Sequence, residues 1–392
     1  ITGRILFQEF SFFFINFLDK IAEQVYNVFG KTKRTKHMET IKPKDVFIAT
    51  IGHVKEHPNA DALELAYVKN WQCVVKKGVF QKGDEVVYIV PDALIDKEQP
   101  WAEGFIKYLG SGGRVKTVKL RNQMSCGILI SVNDPIFEGI DLHAENLADR
   151  LGIGHWSAPP PKDLSALRAC LPAGVEKSDE ENWQSLEEED LHLGEPCLVT
   201  KKMDGSSAVI YYNPQDDNLE ICSRSLSLKL ECHNNYTAAL LPYADTVKFL
   251  ALYTNGPVAI RGEVCGVGIN GNKANKDAKG QLGFYMYGTR FPNAETQEER
   301  MGRWGQVTHF LRVNEFLSDV IDNKETYRCV YGDLVDKIKV FKTVPIIEES
   351  VVSIELLQKY RDMDKEFGEG VVLNGRTFSY KSKSDDYYAS MK

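Results

Sequence analysis

The sequence lacks the paired cysteines and histidines that would mark a structural zinc site, and it lacks the dense cysteine spacing of a disulfide scaffold. Its eight cysteines are scattered through 392 residues without a C-x-x-C pair. Zinc sites and disulfide frameworks depend on such spacings, and a chain of this length can be held by its own core. We therefore expect reduced, mostly buried thiols in an intracellular protein, with cytoplasm, nucleus and mitochondrion all left open.

Long apolar runs and an excess of positive charge are missing as well. The apolar run Phe10–Leu18 is interrupted by Ser11 and Asn16, and it is shorter than the roughly 20 residues that span a bilayer. The formal net charge is -7, which argues against a protein that coats nucleic acid by bulk charge. We expect no membrane partner, a monomer, and only local contacts with any polynucleotide.

The length predicts about two domains, because 392 residues exceed the size at which one hydrophobic core stops growing. Residues 1–41 differ from the rest, and we interpret them as an N-terminal extension without a folded role, with a targeting segment as the alternative. Residues 151–195 form a proline-rich and acidic connector. Within it the capping box Ser178-Asp179-Glu180-Glu181 predicts a helix near 178–186 that carries Trp183 inward.

Residues 42–150 alternate short β-type segments with turn residues, which predicts a small closed barrel of the OB type. The opening His57-Pro58-Asn59-Ala60-Asp61 is similar to that of tRNA-binding OB domains. A change of alternation between Thr117 and Lys119 predicts a bulged or bent strand. Trp71 and Tyr88 could stack on bases or belong to the core. The basic residues that could follow a phosphate backbone are Lys69, Lys76, Arg114, Lys116, Lys119 and Arg121, and the alternative is an exposed strand with scattered basic residues.

Residues 196–392 mix strands with amphipathic helices, so we predict an α+β domain built on antiparallel sheets. Apolar spacing predicts helices over Val307–Ile321 and Ser353–Tyr360. The predicted strands are Cys197–Thr200, Ala208–Tyr212, Val258–Ile260, Phe284–Tyr287 and Gly370–Leu373.

The tetrapeptide Lys202-Met203-Asp204-Gly205 is the most informative motif, because Lys-x-Asp-Gly carries the nucleotidylated lysine of covalent nucleotidyltransferases. One such tetrapeptide is weak evidence, and an ordinary surface turn has the same composition. It gains weight from an ordered set of motifs behind it. These are Ser223-Arg224-Ser225, Arg261-Gly262-Glu263, Phe284-Tyr285-Met286-Tyr287, Glu369-Gly370-Val371-Val372 and Lys381-Ser382-Lys383.

These residue types suit attack of a lysine amine on the α-phosphorus of a nucleoside triphosphate. The amine must be neutral, and Lys201 beside Lys202 is a candidate cation that would favour the neutral form. Positioned cations should stabilise the charge on the phosphoryl oxygens, and the i, i+2 spacing of Lys381 and Lys383 puts both on one face of a strand. Arg224 is a third candidate cation. The candidates for holding hydrated Mg²⁺ or Mn²⁺ are Asp204, Glu263 and Glu369.

From about residue 42 onward the chain resembles ATP-dependent RNA ligases, and among these the type-5 family, which places an OB module before an ATP-grasp-like nucleotidyltransferase domain. The resemblance implies that Lys202 is the adenylylated lysine, that Tyr287 stacks on the purine, and that Lys381 and Lys383 are catalytic. It gives nucleotide-binding roles to Lys201, Asp204, Gly205, Arg224, Glu263, Tyr287 and Glu369. Gly266–Lys273 also resembles the glycine-rich segment of RNA ligases.

The family further implies ATP and Mg²⁺ or Mn²⁺ as cofactors, and sealing of 3′-hydroxyl to 5′-phosphate ends through a lysyl-AMP and an adenylylated 5′ end. The implied substrate is RNA or a nicked RNA/DNA duplex with RNA on the 3′-hydroxyl side. Two positions depart from the pattern. Lys201 stands where many relatives carry Glu, and Gly288 follows Tyr287 where some carry Asp.

Two other functions stay open. A GTP-dependent mRNA capping guanylyltransferase shares the lysine chemistry, although its OB domain normally follows the catalytic domain, and the same order disfavours a DNA ligase. A catalytically silent RNA-binding protein with a tRNA-binding-like barrel would need a damaged active site.

Overall fold

Five antiparallel strands curl into a barrel in the first part of the computed structural model. It describes residues 45–156, 166–175, 180–266, 268–269, 280–291, 309–375 and 377–390, so the predicted extension 1–41 and most of Gly266–Lys273 lie outside the described residues. The barrel order is β3-β2-β1-β4-β8, with β1 (Val46–Glu56), β2 (Leu63–Val68), β3 (Trp71–Lys76), β4 (Glu85–Ile89) and β8 (Ile128–Ser131). The predicted barrel is confirmed.

Strand β1 pairs with two neighbouring strands because it bends. Its first half pairs with β4 and its second half with β2, and the register shifts between Ile51 and His53. Such a bulge lets one strand turn a barrel corner. Of the bulged or bent strand predicted between Thr117 and Lys119, the bulge is wrong, since β6 (Thr117–Leu120) pairs with β7 (Gln123–Cys126) in an unbroken register.

Aromatic residues fill the barrel interior. Tyr88 is 0% exposed and Trp71 is 6% exposed, and the Tyr88 hydroxyl donates to the carbonyl of Cys126 at 2.7 Å. Both side chains are therefore core residues and are not platforms for bases. The remaining strands and the α-helix described in this part are β5 (Ala93–Ile95), β9 (Ile153–His155) and the short helix α1 (Leu147–Leu151).

Two sheets and a set of helices make up the second part, as the predicted α+β class requires. The first sheet is antiparallel with the order β10-β15-β14-β13-β16-β17, and the second has the order β11-β20-β19-β12-β18. The first sheet comprises β10 (Leu167–Cys170), β13 (Ser206–Asn213), β14 (Asn218–Ser223), β15 (Leu226–Leu228), β16 (Val258–Cys265) and β17 (Gly283–Arg290). The second comprises β11 (Glu181–Asn182), β12 (Pro196–Lys201), β18 (Ile346–Val351), β19 (Gly370–Asn374) and β20 (Ser379–Lys383).

The helices cover these sheets with apolar faces. Leu240, Phe249 and Leu317 belong to the core against the first sheet, and Leu357 to the core against the second. The predicted helices over 307–321 and 353–360 are confirmed in the described residues, and Ser353 caps the second through a bond from the backbone N–H of Leu356. The helices are α2 (Asn235–Leu240), α3 (Ala244–Thr254), α4 (His309–Asp322), α5 (Lys324–Tyr331), α6 (Ile354–Arg361) and α7 (Asp385–Ser390).

The helix predicted near 178–186 is wrong within the described residues. Glu181–Asn182 instead forms the parallel strand β11 beside β20, and Trp183–Ser185 is a single 3₁₀ turn. Trp183 is 0% exposed, so its predicted burial is confirmed. Local capping preference is worth about 1 kcal/mol, and burial of an indole outweighs it.

No helix among the described residues is long and apolar enough to cross a membrane.

Candidate active site

Lys202 lies where the chain crosses from the second sheet to the first. It follows β12, and its backbone N–H donates to the carbonyl of Gly370 at 2.9 Å. The next residue, Met203, is 3% exposed and belongs to the core of the first sheet. The crossing is thus anchored on both sides, which fixes the direction of the lysine side chain between the sheets.

Glu369 faces the amine of Lys202. Lys202 Nζ lies 2.6 Å from Glu369 Oε1, with the two side chains 22% and 13% exposed. Glu369 directly precedes β19, the antiparallel neighbour of β12, so sheet pairing brings together two motifs that are far apart in sequence.

Glu263 approaches from the first sheet. It lies on β16 opposite Ser207 of β13 and Tyr285 of β17, and the Ser207 hydroxyl donates to its Oε2 at 3.3 Å. Gly205 lets this strand come close, since a Cβ at that position would lie 2.6 Å from Glu263 Cγ and 2.5 Å from the carbonyl oxygen of Val264.

The charges at the site hold Lys202 in its protonated form. Burial alone would lower the pKa of Lys202, but the carboxylates of Glu369 and Glu263 raise it above its ordinary value. Burial raises the pKa of Glu263 to about 8, although Lys202 opposes the rise. Burial would also raise the pKa of Glu369, but Lys202 and Tyr388 bring it below its ordinary value. The strongest charged neighbours of the amine are carboxylates, and the role of Lys201 in favouring a neutral amine stays a prediction.

Lys201 is the last residue of β12. Its ammonium lies 5.6 Å from the ring centre of Phe367.

Lys381 and Lys383 lie on β20, as their spacing predicts. They stand opposite Val372 and Gly370 of β19, two positions apart on one strand face. Burial lowers the pKa of Lys383 to about 8, and the charges of Lys381 and Lys202 add to the effect. The ammonium groups of Lys381 and Lys202 therefore interact electrostatically with that of Lys383.

The other predicted nucleotide contacts are more dispersed. Tyr287 lies on β17, with Arg261 Cζ 6.0 Å from its ring centre, and its role as a stacking residue stays a prediction. Arg224 is exposed in the turn between β14 and β15. Asp204 accepts a hydrogen bond from the Tyr387 hydroxyl at 2.6 Å.

The three predicted metal ligands are not assembled into one cluster. Over the described ranges, no group of three or more His, Cys, Asp or Glu side chains has the arrangement of a metal site. Glu263 and Glu369 nevertheless fit Mg²⁺ or Mn²⁺ by their chemistry, because both are carboxylate oxygen donors and both act on the same amine of Lys202. Asp204 is not brought into that pair.

Sequence reasoning missed four residues at this site. Glu180 raises the pKa of both Lys202 and Glu263 through its charge, Ser207 bonds Glu263, and Tyr387 and Tyr388 bond Asp204 and Glu369. The sequence at 178–181 has the pattern of a helix cap, so it gives no indication that Glu180 lies near Lys202 and Glu263. The pair Tyr387-Tyr388 follows the last lysine motif by four residues, and that proximity is the one signal that could have found it.

The basic residues of the barrel divide into two groups. Arg114 Nη2 pairs with Asp92 Oδ1 at 2.7 Å, and its guanidinium carbon lies 3.5 Å from the ring centre of Trp156. Lys119 pairs with Asp386 of α7 at 2.8 Å. Arg114 and Lys119 therefore form ion pairs with acidic residues of the same chain. Lys69 does so as well, with Glu187. The second group is exposed and comprises Lys76, Lys116 and Arg121.

The buried amine of Lys202 beside Glu369, with Lys381 and Lys383 on a strand of the sheet that leads into it, has the residue types that a covalent nucleotidyltransferase needs. Comparison with known families agrees, because residues 46–132 match the model of an OB-fold domain and residues 195–385 match the model of the RNA ligase family. No curated protein matches the chain. The chain therefore carries an RNA ligase family domain behind an OB-fold domain, which makes it an enzyme of the nucleotidyltransferase type and confirms the resemblance to RNA ligases.

Solved structures share this fold across both domains. A Naegleria gruberi RNA ligase with pyrophosphate is 24% identical, covers 89% of this chain and 98% of its own, and has a TM-score of 0.68. A variant of that ligase with AMP and Mn is 24% identical, with 88% and 98% covered and a TM-score of 0.67. Another variant, with ATP and Mn, is 24% identical, with 88% and 98% covered and a TM-score of 0.66.

Proposed function

We propose that this protein is an ATP-dependent RNA ligase that joins 3′-hydroxyl to 5′-phosphate ends as a monomer. The observation that carries the proposal is the position of Lys202 Nζ, 2.6 Å from Glu369 Oε1, on the same side as Glu263 and the ammonium groups of β20. An amine placed in this way can be presented to a phosphorus atom while cations face the phosphate oxygens.

In the first step Lys202 Nζ attacks the α-phosphorus of ATP. A nitrogen–phosphorus bond forms, the bond from the α-phosphorus to the bridging oxygen breaks, and pyrophosphate leaves with that oxygen. The ammonium first gives up one proton to solvent, and the nitrogen releases a second proton to solvent as the phosphoramide forms. The first loss requires that the charge of the carboxylates that hold the ammonium is neutralised. Lys381 and Lys383 bind the phosphate oxygens, and Tyr287 supports the adenine ring.

A divalent cation fits the carboxylates of Glu263 and Glu369. When bound, it would offset their charge, lower the pKa of Lys202 and stabilise the phosphoryl oxygens. The Naegleria ligase structures with ATP and Mn support this assignment of ATP and Mn²⁺ or Mg²⁺.

In the two later steps the AMP passes from Lys202 to the 5′-phosphate of the nucleic acid, and the 3′-hydroxyl then attacks that phosphate and releases AMP. We propose a nicked duplex with RNA on the 3′-hydroxyl side as the substrate. The OB-fold domain ahead of the catalytic domain supports it, because OB folds bind strands along an outer face.

Covalent labelling tests the first step. Incubation of the full chain with α-labelled ATP and Mg²⁺ or Mn²⁺ should leave label on the protein, and Lys202→Ala should abolish it. Lys248→Ala is the matched control, because Lys248 also pairs with a carboxylate, Asp217 Oδ1 at 3.2 Å, and should label like the wild type. Labelling by GTP instead of ATP would favour a capping guanylyltransferase, and labelling by neither would favour a silent RNA-binding protein.

Nicked duplexes test the substrate. Two duplexes that differ only in whether the strand with the 3′-hydroxyl end is RNA or DNA should be sealed at different rates, with the RNA form faster. Equal rates would contradict the proposed preference while leaving the ligase activity in place.

A further inference from the structure

We propose that Tyr388 is a positioning residue for lysine adenylylation, which holds the Glu369 carboxylate against Lys202 and the ammonium of Lys383 above its own ring. This inference rests on the proposed function and names a residue outside the motifs that led to it.

Tyr388 touches two motifs with one side chain. Its hydroxyl donates to Glu369 Oε1, the same oxygen that lies 2.6 Å from Lys202 Nζ. Its ring centre lies 4.5 Å from Lys383 Nζ, within the range of a cation–π contact. The hydroxyl and the ring thus have separable roles: the hydroxyl fixes a carboxylate at the reacting amine, and the ring fixes a cation for the triphosphate.

The helix that carries Tyr388 is itself held from several directions. It starts directly after β20, and the backbone N–H of Ser384 donates to the carbonyl of Glu369 at 3.0 Å. The Ser384 hydroxyl donates to the carbonyl of Met363 at 2.7 Å. These bonds tie the start of α7 to the same residue that its tyrosine contacts.

The barrel supplies a further anchor for α7. Asp386 pairs with Lys119 of the β6–β7 hairpin at 2.8 Å and accepts from the backbone N–H of Lys365 at 3.1 Å. A helix of six residues is unstable by itself, so contacts such as these decide where Tyr388 lies. The neighbouring Tyr387 donates to Asp204 at 2.6 Å, and α7 therefore contacts both the motif that contains Lys202 and the motif that contains Glu369.

Removal of the hydroxyl alone separates positioning from structural support. Tyr388→Phe keeps the ring beneath Lys383, so we expect an unchanged KM for ATP and an unchanged melting temperature. We expect the rate constant of self-adenylylation at saturating ATP to fall about tenfold, the effect of losing one hydrogen bond to a charged group. Tyr388→Leu removes the ring as well and should in addition raise the KM for ATP.

Tyr212→Phe is the matched control. Its hydroxyl also donates to a carboxylate, Asp217 Oδ1 at 2.6 Å, at the end of β13 away from Ser206 and Ser207, and its loss should leave rate and KM unchanged. A Tyr388→Phe rate equal to that of the wild type would overturn the inference, and so would a joint change of rate, KM and melting temperature. Failure of the wild-type chain to take up label would instead overturn the proposed function, and this inference with it.

Discussion

Lys202 carries a proton in the described state because Glu369 and Glu263 face its amine. This arrangement is that of a resting site, since a charged amine cannot attack phosphorus. The carboxylates that keep it charged are also the oxygen donors that suit a divalent cation. On the proposed function, attack by Lys202 therefore requires that the negative charge of the carboxylates facing its amine is first balanced.

Lys383 gives this site a pH dependence that can be measured. Burial and the neighbouring ammonium groups lower its pKa to about 8, so its positive charge is present below pH 8 and lost above it. We expect the KM for ATP to rise about tenfold between pH 7 and pH 9 in the wild type, because one charged contact to the triphosphate disappears. Lys383→Arg stays charged throughout this range and should show a flat profile.

Initial rates of label uptake at varied ATP concentration, taken at each pH, measure this KM. Lys359→Arg on the exposed face of α6 controls for the chemical change itself and should behave like the wild type. Parallel profiles for the wild type and Lys383→Arg would show that another group is responsible.

The motifs allowed five residues of the site to be predicted from sequence: Lys202, Glu263, Glu369, Lys381 and Lys383. Each lies in a short pattern whose chemistry is local. Tyr388 could not be predicted in this way, because nothing in a Tyr-Tyr pair indicates a partner until β20 and α7 place it beside Glu369. The pKa shifts of Lys202, Glu263 and Lys383 could not be predicted from sequence either, because the charges that cause them are brought together only by the fold.

Strand β11 shows why elements were harder to predict than residues. The acidic sequence before Trp183 has the composition of a helix start, yet Glu181 and Asn182 pair with Tyr380 and Lys381 of β20. Parallel pairing between segments that are nearly 200 positions apart leaves no local pattern in either one. The amphipathic helix α4 was predictable because its apolar period alone determines which face packs.

Gly370 is the residue on which the junction of β19 and β20 depends. Its φ is +135°, a conformation that side chains rarely adopt, and a Cβ there would lie 2.2 Å from the carbonyl oxygen of Ser382. That carbonyl belongs to the neighbouring strand and cannot move without disturbing the pairing that holds Lys381 and Lys383. We expect Gly370→Ala to lower the free energy of unfolding by about 3 kcal/mol and to reduce label uptake.

Chemical denaturation of the full chain measures this loss. Gly154→Ala on β9 is the control, since no described atom lies within 4 Å of the point that an added Cβ would occupy, and it should change stability by less than about 0.5 kcal/mol. A Gly370→Ala variant as stable as this control would mean that the β19–β20 junction has room to relax.

The two domains are joined through side chains that a sequence-based interpretation assigns to nucleic acid. Lys119 of the barrel pairs with Asp386 of α7, and Lys69 of the barrel pairs with Glu187 of the segment before β12. Arg114 is instead paired within the barrel, with Asp92. A basic residue on an acidic protein can pair with a carboxylate of the same chain or contact nucleic acid. The fold, which places an acidic partner beside it or does not, distinguishes these two roles. The barrel thus contributes to the catalytic domain through α7, and the surface left for a phosphate backbone is smaller than the sequence predicts.

Lys76, Lys116 and Arg121 are the remaining candidates for contact with nucleic acid, and the last two are exposed beside the β6–β7 hairpin. If the barrel docks the substrate there, Lys116→Glu with Arg121→Glu should weaken binding of a nicked duplex at least about tenfold and slow its sealing. Two lost phosphate contacts should also reduce the slope of log affinity against log salt by about 1.8. Self-adenylylation should be unchanged, because neither residue touches the lysine site.

The control is Lys97→Glu with Lys107→Glu, which changes the net charge by the same amount elsewhere in the same domain. Titration of a labelled nicked duplex at several salt concentrations separates the two variants, because a general charge effect weakens both alike while a docking surface weakens only the first. Equal losses would place the duplex on another face of the barrel. Loss of self-adenylylation in the first variant alone would mean that the β6–β7 hairpin acts on the site through α7, and in that case its exposed basic residues support the helix rather than the substrate.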